Sequence, residues 1–323
     1  MKNIGVFTSG GDAPGMNAAV RAAVRTGLNL GLNVYGIKYG YNGLITNDIY
    51  QMKSYSVSNI LQRGGTILKS ARSDEFRTKE GRKKAFKNMQ AKGIEGLVAI
   101  GGDGTFTGAN IFYEEFGIPI VGAPGTIDND LYGSDYTIGF DTAVNTALDA
   151  IDKIRDTANS HDRVFFIEVM GRHSGHIAVS CGIGGGAELV MIPETSTTIQ
   201  DVIDTLNQGR DQEKTSAIII VAEGDEQGNA HDIANRVKEK LPKLDIRVST
   251  LGHMQRGGAP TSFDRLLASR LGLAAVEGLV DGKHNVMAGV INDEVIYTSF
   301  KLAISKAKPI KADLMRMVDI MNI

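Results

Sequence analysis

Residues 97–105 read Leu-Val-Ala-Ile-Gly-Gly-Asp-Gly-Thr. Four apolar residues, with Val98 and Ile100 β-branched, run straight into a glycine pair. The Gly-Asp-Gly-Thr that completes the stretch opens a segment with helical patterning. Continuous β-branched runs suit strands buried on both faces of a parallel sheet. Parallel neighbours need a crossover, and the glycines stand where strand would turn into crossover helix. The stretch therefore reads as strand, tight turn and helix, half of a βαβ unit.

The same arrangement recurs along the chain. Apolar runs at 4–7, 34–37, 97–100, 118–121, 164–169, 189–192, 217–222 and 286–290 alternate with helix-like segments. The clearest helix is expected at 142–159, with Ala143, Ala147, Ala150, Ile151, Ile154 and Ala158 in one stripe. Asp149, Asp152, Lys153 and Asp156 lie off that stripe, and Asp141 or Thr142 is expected to cap the start. Residues 74–92, rich in Lys, Arg and Glu, read as a solvated helix face. Alternating elements argue for doubly wound α/β layers. So many strands exceed one comfortable sheet, so two α/β domains with a cleft between them are expected, linked by several crossings.

The 323 residues are 42% hydrophobic and 22% charged, an ordinary globular balance. A net charge of -2, 6% aromatics and no Trp argue against a nucleic-acid partner. The lone Cys181 makes neither an internal disulfide nor a cysteine-only zinc site, and reads as a small buried apolar residue. No apolar leader follows Met1 and the longest apolar runs are too short for a bilayer, so a cytoplasmic protein without a membrane partner is expected. Glycine is the outlier at 39 residues, clustered just after the apolar runs. Those positions are strand ends, where open α/β sheets bind ligands.

Six strand-end loops carry candidate chemistry. After residues 4–7, Gly10-Gly11 precedes a helix, where backbone N–H groups and the helix terminus suit a phosphate. The loop is neither a dinucleotide fingerprint nor a Walker A motif. In Gly101-Gly102-Asp103-Gly104-Thr105 a carboxylate stands among glycines. Beside phosphates it needs a cation, and Mg²⁺ characteristically takes one or two carboxylates plus phosphate oxygens. At 122–130, Gly-Ala-Pro-Gly-Thr-Ile-Asp-Asn-Asp places Asp128 and Asp130 in a tight polar turn. That is either a solvated turn or a general base beside a metal or phosphate site. Met170-Gly171-Arg172-His173-Ser174-Gly175, Glu223-Gly224-Asp225 and residues 251–258 complete the set. They bring Arg172, His253 and Arg256, and arginine forks match phosphate oxygens. Together the loops suggest phosphoryl transfer to a phosphorylated acceptor, with Asp128 or Asp130 as base.

The motifs TSGGDAPGMNA (8–18), GGDGT (101–105), PGTIDND (124–130), MGRHSG (170–175), VAEG (221–224) and LGHMQRGG (251–258) resemble, in combination, the bacterial ATP-dependent 6-phosphofructokinases. The resemblance covers essentially the whole chain. It implies two Rossmann-like, doubly wound domains: a larger ATP-binding domain of residues 1–139 and 256–303, and a smaller fructose 6-phosphate and effector domain of residues 140–255 and 304–323. It implies a homotetramer that phosphorylates fructose 6-phosphate at the 1-hydroxyl, a committed step of glycolysis. ATP would be held by Gly11, Arg72, Ser73, Gly102, Gly104 and Thr105, with Asp103 serving Mg²⁺. The sugar phosphate would sit in the cleft against Thr126, Asp128, Asp130, Met170, Gly171, Arg172, Glu223, His253 and Arg256. Arg163 and Arg247 would reach its 6-phosphate from a neighbouring subunit. Asp128 would be the base, with Arg72, Arg172 and Thr126 at the transferring group.

Pyrophosphate-dependent relatives carry Asp where this chain has Gly104 and Lys where it has Gly125, so the resemblance points to ATP as donor. Ser73 departs from the Cys of many relatives. An ADP or phosphoenolpyruvate site between subunits would use Arg21, Arg25, Arg155, Gly186, Glu188 and Lys214. There the chain departs further. The Lys-Lys-His of relatives is Lys214-Thr215-Ser216, Gln212 and Glu213 precede it, and Asn59 replaces a usual Asp. A blunted effector response is the expectation.

Overall fold

The structure, a computed structural model, describes residues 1–321. Asn322 and Ile323, at the end of the expected smaller domain, lie outside the described residues. The strands are β1 (Asn3–Thr8), β2 (Asn33–Ile37), β3 (Ile49–Met52), β4 (Gly96–Gly101), β5 (Ile120–Pro124), β6 (Val164–Val169), β7 (Leu189–Met191), β8 (Ala217–Ala222), β9 (Ile246–Thr250), β10 (Val286–Ile291) and β11 (Glu294–Ser299). Every apolar run read as a strand overlaps one, though 118–121 meets β5 only in its second half and 189–192 overruns β7 by one residue. The reading missed β3, β9 and β11, which are all sheet edges. Each is only partly buried and mixes polar with apolar side chains, so it shows no continuous apolar run.

Contacts divide the chain into two units. The first comprises Met1–Ile127, Leu131–Thr142 and Arg256–Lys308. Its seven strands run in the order β11-β10-β5-β4-β1-β2-β3. The five inner strands are parallel, and β3 and β11 add antiparallel edges. Thr8 pairs with Ile100 and Gly101 with Pro124, so the loops after β1, β4 and β5 leave the sheet side by side. Aromatic rings fill one core layer: Phe106 stacks on Phe300 at 4.8 Å, and Tyr41 stacks on Phe76 at 4.0 Å. Burial pushes the Tyr41 phenol far up, so it stays a donor, and its hydroxyl bonds the Thr105 carbonyl.

The second unit comprises Asp128–Asp130, Ala143–Gln255 and the described part of the segment from Pro309. Its sheet is wholly parallel, in the order β7-β8-β6-β9. The central strand β8 is buried along its whole length, as its unbroken Ala-Ile-Ile-Ile-Val-Ala sequence implies. Val169 pairs with Ala222 and Glu168 with Thr250, so the loops after β6, β8 and β9 emerge from one edge. Cys181 is buried in a helix of this unit and its thiol is pushed up to about 12, in keeping with a packing residue.

Two local expectations are corrected. The helix read at 142–159 is Phe140–His161, so neither Asp141 nor Thr142 stands at its cap position. The buried carboxylate of Asp264, in the first turn of the helix Ser262–Val280, serves there instead. Its Oδ1 accepts from the Gly139 N–H at 2.8 Å. Its Oδ2 accepts from the Thr142 N–H at 2.8 Å and the Thr142 hydroxyl at 2.6 Å. Residues 74–92 form two helices, Asp74–Arg77 and Lys79–Ala91, separated by Thr78. Their solvated face is interrupted by Arg82, which is buried and paired with Glu115 at 2.7 Å. No helix among the described residues is long and apolar enough to cross a membrane.

Candidate active site

In the first unit three glycine loops meet beyond the sheet edge. The Ser9 N–H donates to Ile100 O at 3.0 Å, and the Thr105 hydroxyl donates to Ser9 O at 3.1 Å. The loop after β1 is thereby tied to the loop after β4. The Gly125 N–H donates to Gly101 O at 3.0 Å, which ties in the loop after β5. Gly11 lies under the guanidinium of Arg256, which donates to the Asp12 carbonyl at 3.1 Å. Arg256 therefore sits over the first glycine loop, a placement the sequence did not reveal.

Gly102 starts the helix Asp103–Phe116, and no side chain caps it. Asp103 stands exposed in the first turn, where the free N–H groups favour negative charge. At Gly104 a Cβ would meet nothing within 4 Å. At Gly125 a Cβ would press on Met16 at 3.0 Å and Ile100 at 3.1 Å. Packing therefore favours glycine at 125 and leaves glycine at 104 without a packing reason inside the fold. Arg72 is exposed, and the Ser73 hydroxyl caps the short helix Asp74–Arg77 by accepting from Phe76 N at 3.3 Å.

The turn of 125–130 is not a solvated one. Thr126 is 8% exposed, and Asp128 and Asn129 are each 4% exposed. Thr126 abuts Gly102, and its carbonyl accepts from the Thr137 hydroxyl at 2.7 Å. The carbonyl of Asp128 accepts from the Ser174 hydroxyl at 3.0 Å. Asp130 is half-buried.

In the second unit the loops after β6, β8 and β9 bring Met170, Gly171, Arg172, Glu223 and His253 to one sheet edge. Arg172 has φ of 54°, a left-handed conformation uncommon for a long side chain, and its N–H donates to Glu223 Oε1 at 2.8 Å. A Cβ at Gly224 would lie 1.8 Å from the Arg172 carbonyl, so glycine there is what lets the two loops close on each other. Met170 N donates to the side chain of fully buried Gln255 at 3.3 Å. Arg172, Glu223 and His253 remain exposed.

Arg163 and Arg247 are not with them. They stand at the opposite, amino edge of the same sheet, where Val164 pairs with Ile246. Both grip Asp245: Arg163 Nε at 2.8 Å from Oδ2, Arg247 Nε at 3.0 Å from Oδ1. The Arg163 hydrogen bond above all holds the Asp245 carboxyl below the usual carboxylate range. Near this edge lies a cavity of about 370 Å³ lined by Glu188, Arg210, Glu213 and Lys214 among others. Arg155 donates to the carbonyls of Gly185 and Gly186. Glu188 accepts from Ile218 N at 2.6 Å. Arg21 and Arg25 lie on the helix Met16–Asn29 of the first unit, Arg25 exposed.

Among the described residues no three His, Cys, Asp or Glu side chains group as a metal cage. One exposed carboxylate in a helix first turn, beside open space, fits a Mg²⁺ held mainly by phosphate and does not fit one caged by protein side chains. Sequence reasoning missed Asp264 and Thr137, and it gave Ser174 and Gln255 no role within their loops. Thr261-x-x-Asp264 reads as a capping box of its own helix, and nothing local announces that the carboxylate reaches Gly139.

Glycine loops at the carboxyl ends of parallel strands, opening into helices, define an α/β protein of the phosphate-handling class. The family model for phosphofructokinase matches residues 3–279. The chain is 62% identical over 322 residues to an ATP-dependent 6-phosphofructokinase of Cytophaga hutchinsonii, covering 100% of this chain and 98% of that protein. It is 57% identical to ATP-dependent 6-phosphofructokinase 1 of Thermus thermophilus, over 99% of each. The structure of phosphofructokinase from Saccharomyces cerevisiae superposes with a TM-score of 0.89 at 33% identity, over 94% of this chain and 45% of that one. The chain thus spans less than half of the yeast chain. A pyrophosphate-dependent phosphofructokinase from Marinobacter aquaeolei shares the fold, at a TM-score of 0.84 and 22% identity over 99% of this chain and 91% of that one. The chain belongs to the phosphofructokinase family.

Proposed function

We propose that this chain transfers the γ-phosphoryl group of ATP to the 1-hydroxyl of fructose 6-phosphate, giving fructose 1,6-bisphosphate and ADP in glycolysis. The observation that carries the reading is identity along the whole chain to bacterial proteins named ATP-dependent 6-phosphofructokinase. The open space at Gly104 favours a nucleotide donor, because the fold itself has no use for glycine there.

The first unit is the ATP-binding domain. Gly11, Arg72, Ser73, Gly102, Asp103, Gly104 and Thr105 line the nucleotide. Ser73 contributes through its backbone, since its hydroxyl caps a helix. Mg²⁺ bound with the nucleotide neutralises phosphate charge, and Asp103 is the residue that would hold it. The second unit binds the sugar phosphate and effectors. Asp130, Met170, Gly171, Arg172, Glu223 and His253 orient the acceptor, and Arg256, a residue of the first unit, is assigned to the acceptor as well. Asp128 accepts the proton of the 1-hydroxyl as that oxygen bonds to the γ-phosphorus. The bond from the γ-phosphorus to its bridging oxygen breaks, and ADP leaves with the electron pair. Arg72, Arg172 and Thr126 steady the group in flight.

Arg163 and Arg247 sit across the sheet from Arg172, Glu223 and His253. The six-residue strand β6 separates the two edges, about 20 Å of extended chain. They therefore serve the 6-phosphate site of a neighbouring subunit in a homotetramer. Arg21 and Arg25 of one subunit and Arg155, Gly186, Glu188 and Lys214 of another would form an ADP or phosphoenolpyruvate site between subunits, weakened by Glu213, Thr215 and Ser216. The protein works in the cytoplasm. ADP release measured with fructose 6-phosphate present and omitted, and with pyrophosphate replacing ATP, tests the reading. Turnover with pyrophosphate and none with ATP would overturn it.

A further inference from the structure

Asp264 lies outside every motif that suggested the reaction, yet its carboxylate bridges two places at once. One oxygen takes the N–H of Gly139, and the other takes the N–H and hydroxyl of Thr142. The carboxylate is fully buried, and burial pushes its proton affinity up while these bonds pull it back. Capping a helix does not require this, since a hydroxyl or amide does so without burying a charge. Only a carboxylate offers two separate acceptor oxygens to two such partners.

The Gly139 arm leads to the transfer loop. Ile138 N donates to Pro124 O at 2.8 Å, and residue 138 forms an isolated parallel bridge with Gly125. The hydroxyl of Thr137, also fully buried, donates to Thr126 O at 2.7 Å. Residues 137–139 thus lie along residues 124–126 as a splint, and Asp264 grips the far end of it. The nucleotide loops are held by other bonds, from Ser9 to Ile100 and from Thr105 to Ser9.

We propose that Asp264 is a positioning residue for phosphoryl transfer: through Gly139, Ile138 and Thr137 it fixes the backbone of Gly125 and Thr126 at the end of β5. The inference rests on the role assigned above to Thr126 and Asp128. In Asp264→Asn the single remaining carbonyl oxygen turns to the two donors of Thr142. The new NH₂ then faces the N–H of Gly139, donor against donor, and the arm to the loop breaks. Thr137→Val breaks the same route at its other end. Thr142→Val disturbs the cap but leaves the Gly139 bond.

The experiment is steady-state kinetics of the full chain and these variants with ATP and fructose 6-phosphate, well below each melting temperature. A misplaced reacting group costs rate and spares nucleotide binding. Asp264→Asn and Thr137→Val should each lower kcat by about tenfold or more with KM for ATP within about twofold. Thr142→Val should keep kcat within about twofold even where it loses melting temperature. Because the two sites act in series, the double variant should be no slower than the slower single one. Unchanged kcat in Asp264→Asn, additive losses in the double, or kcat falling in step with Tm across all three variants would overturn the proposal. If Asp264→Asn does not fold, Thr137→Val against Thr142→Val decides alone. Failure of the underlying reading looks different: the unmodified protein would then release no ADP with fructose 6-phosphate.

Discussion

Arg163 donates Nε to Asp245 Oδ2 at 2.8 Å, at the amino edge of a parallel sheet whose carboxyl edge carries Arg172 and Glu223. Arg247 joins the same carboxylate, which fixes both guanidinium groups on one side of the unit. Arginines so placed are out of reach of the carboxyl-edge loops of their own sheet. Mixed tetramers of an Arg163→Ala chain and an Asp128→Asn chain should therefore regain activity that neither parent shows. The measurement is turnover of hybrids verified by mass. Recovery absent from such hybrids would mean each chain carries a self-contained site.

Asp128 is nearly inaccessible at 4% exposure, in a turn whose composition alone suggests open solvent. Asp128→Asn keeps the volume and removes the proton acceptor. A drop in kcat of about 10² to 10⁴ is expected, with KM for the sugar phosphate roughly kept. Near-normal kcat would take the role of base away from Asp128.

The two glycines near the donor should respond in opposite ways. Gly104→Asp enters open space in the first turn of a helix, where a carboxylate is tolerated or favoured. Its melting temperature should change little, while KM for ATP rises by about tenfold or more, because the side chain competes with phosphate. Gly125→Ala crowds Met16 and Ile100, which must shift by a few tenths of an ångström, and should lower the melting temperature first. Paired thermal melts and ATP titrations distinguish them. An unaffected KM in Gly104→Asp would place the nucleotide elsewhere.

Regulation should be blunted. The cavity of about 370 Å³ beside Lys214 and Arg210 is also lined by Glu213, which opposes an anionic effector. Thr215 and Ser216, where the resemblance expects Lys and His, would each forgo a charge-assisted hydrogen bond of about 1.5–3 kcal/mol, before any discount for solvent. An effector shifts an equilibrium only by its differential affinity. ADP and phosphoenolpyruvate should therefore each move half-saturation by fructose 6-phosphate less than about threefold. Steep sigmoidality produced by micromolar phosphoenolpyruvate and relieved by ADP would sink this expectation.

What the sequence disclosed follows from where the physics is local. Ala217–Ala222 is buried on both faces, so every position is apolar and the strand announces itself. Glu294–Ser299 faces solvent along much of its length, and its mixed composition hides it. The turn from strand into helix at Asp103 was legible because glycines on either side of it follow an unbroken apolar run. Asp128 was ambiguous, since Asp-Asn-Asp describes a surface turn as well as a buried one, and only packing separates them. Asp264 could not be read at all. Its partners lie 125 and 122 residues away, and the local Thr-x-x-Asp pattern explains it too well.

Arg172 keeps a long L-side chain at φ 54°, where glycine or asparagine would rest more easily. The left-handed conformation costs a side chain with a Cβ about 1–2 kcal/mol. Selection for heat resistance and selection for turnover should therefore part company at this one position. The first would enrich Gly or Asn at 172 in a library of random variants, and the second would restore Arg from that same library.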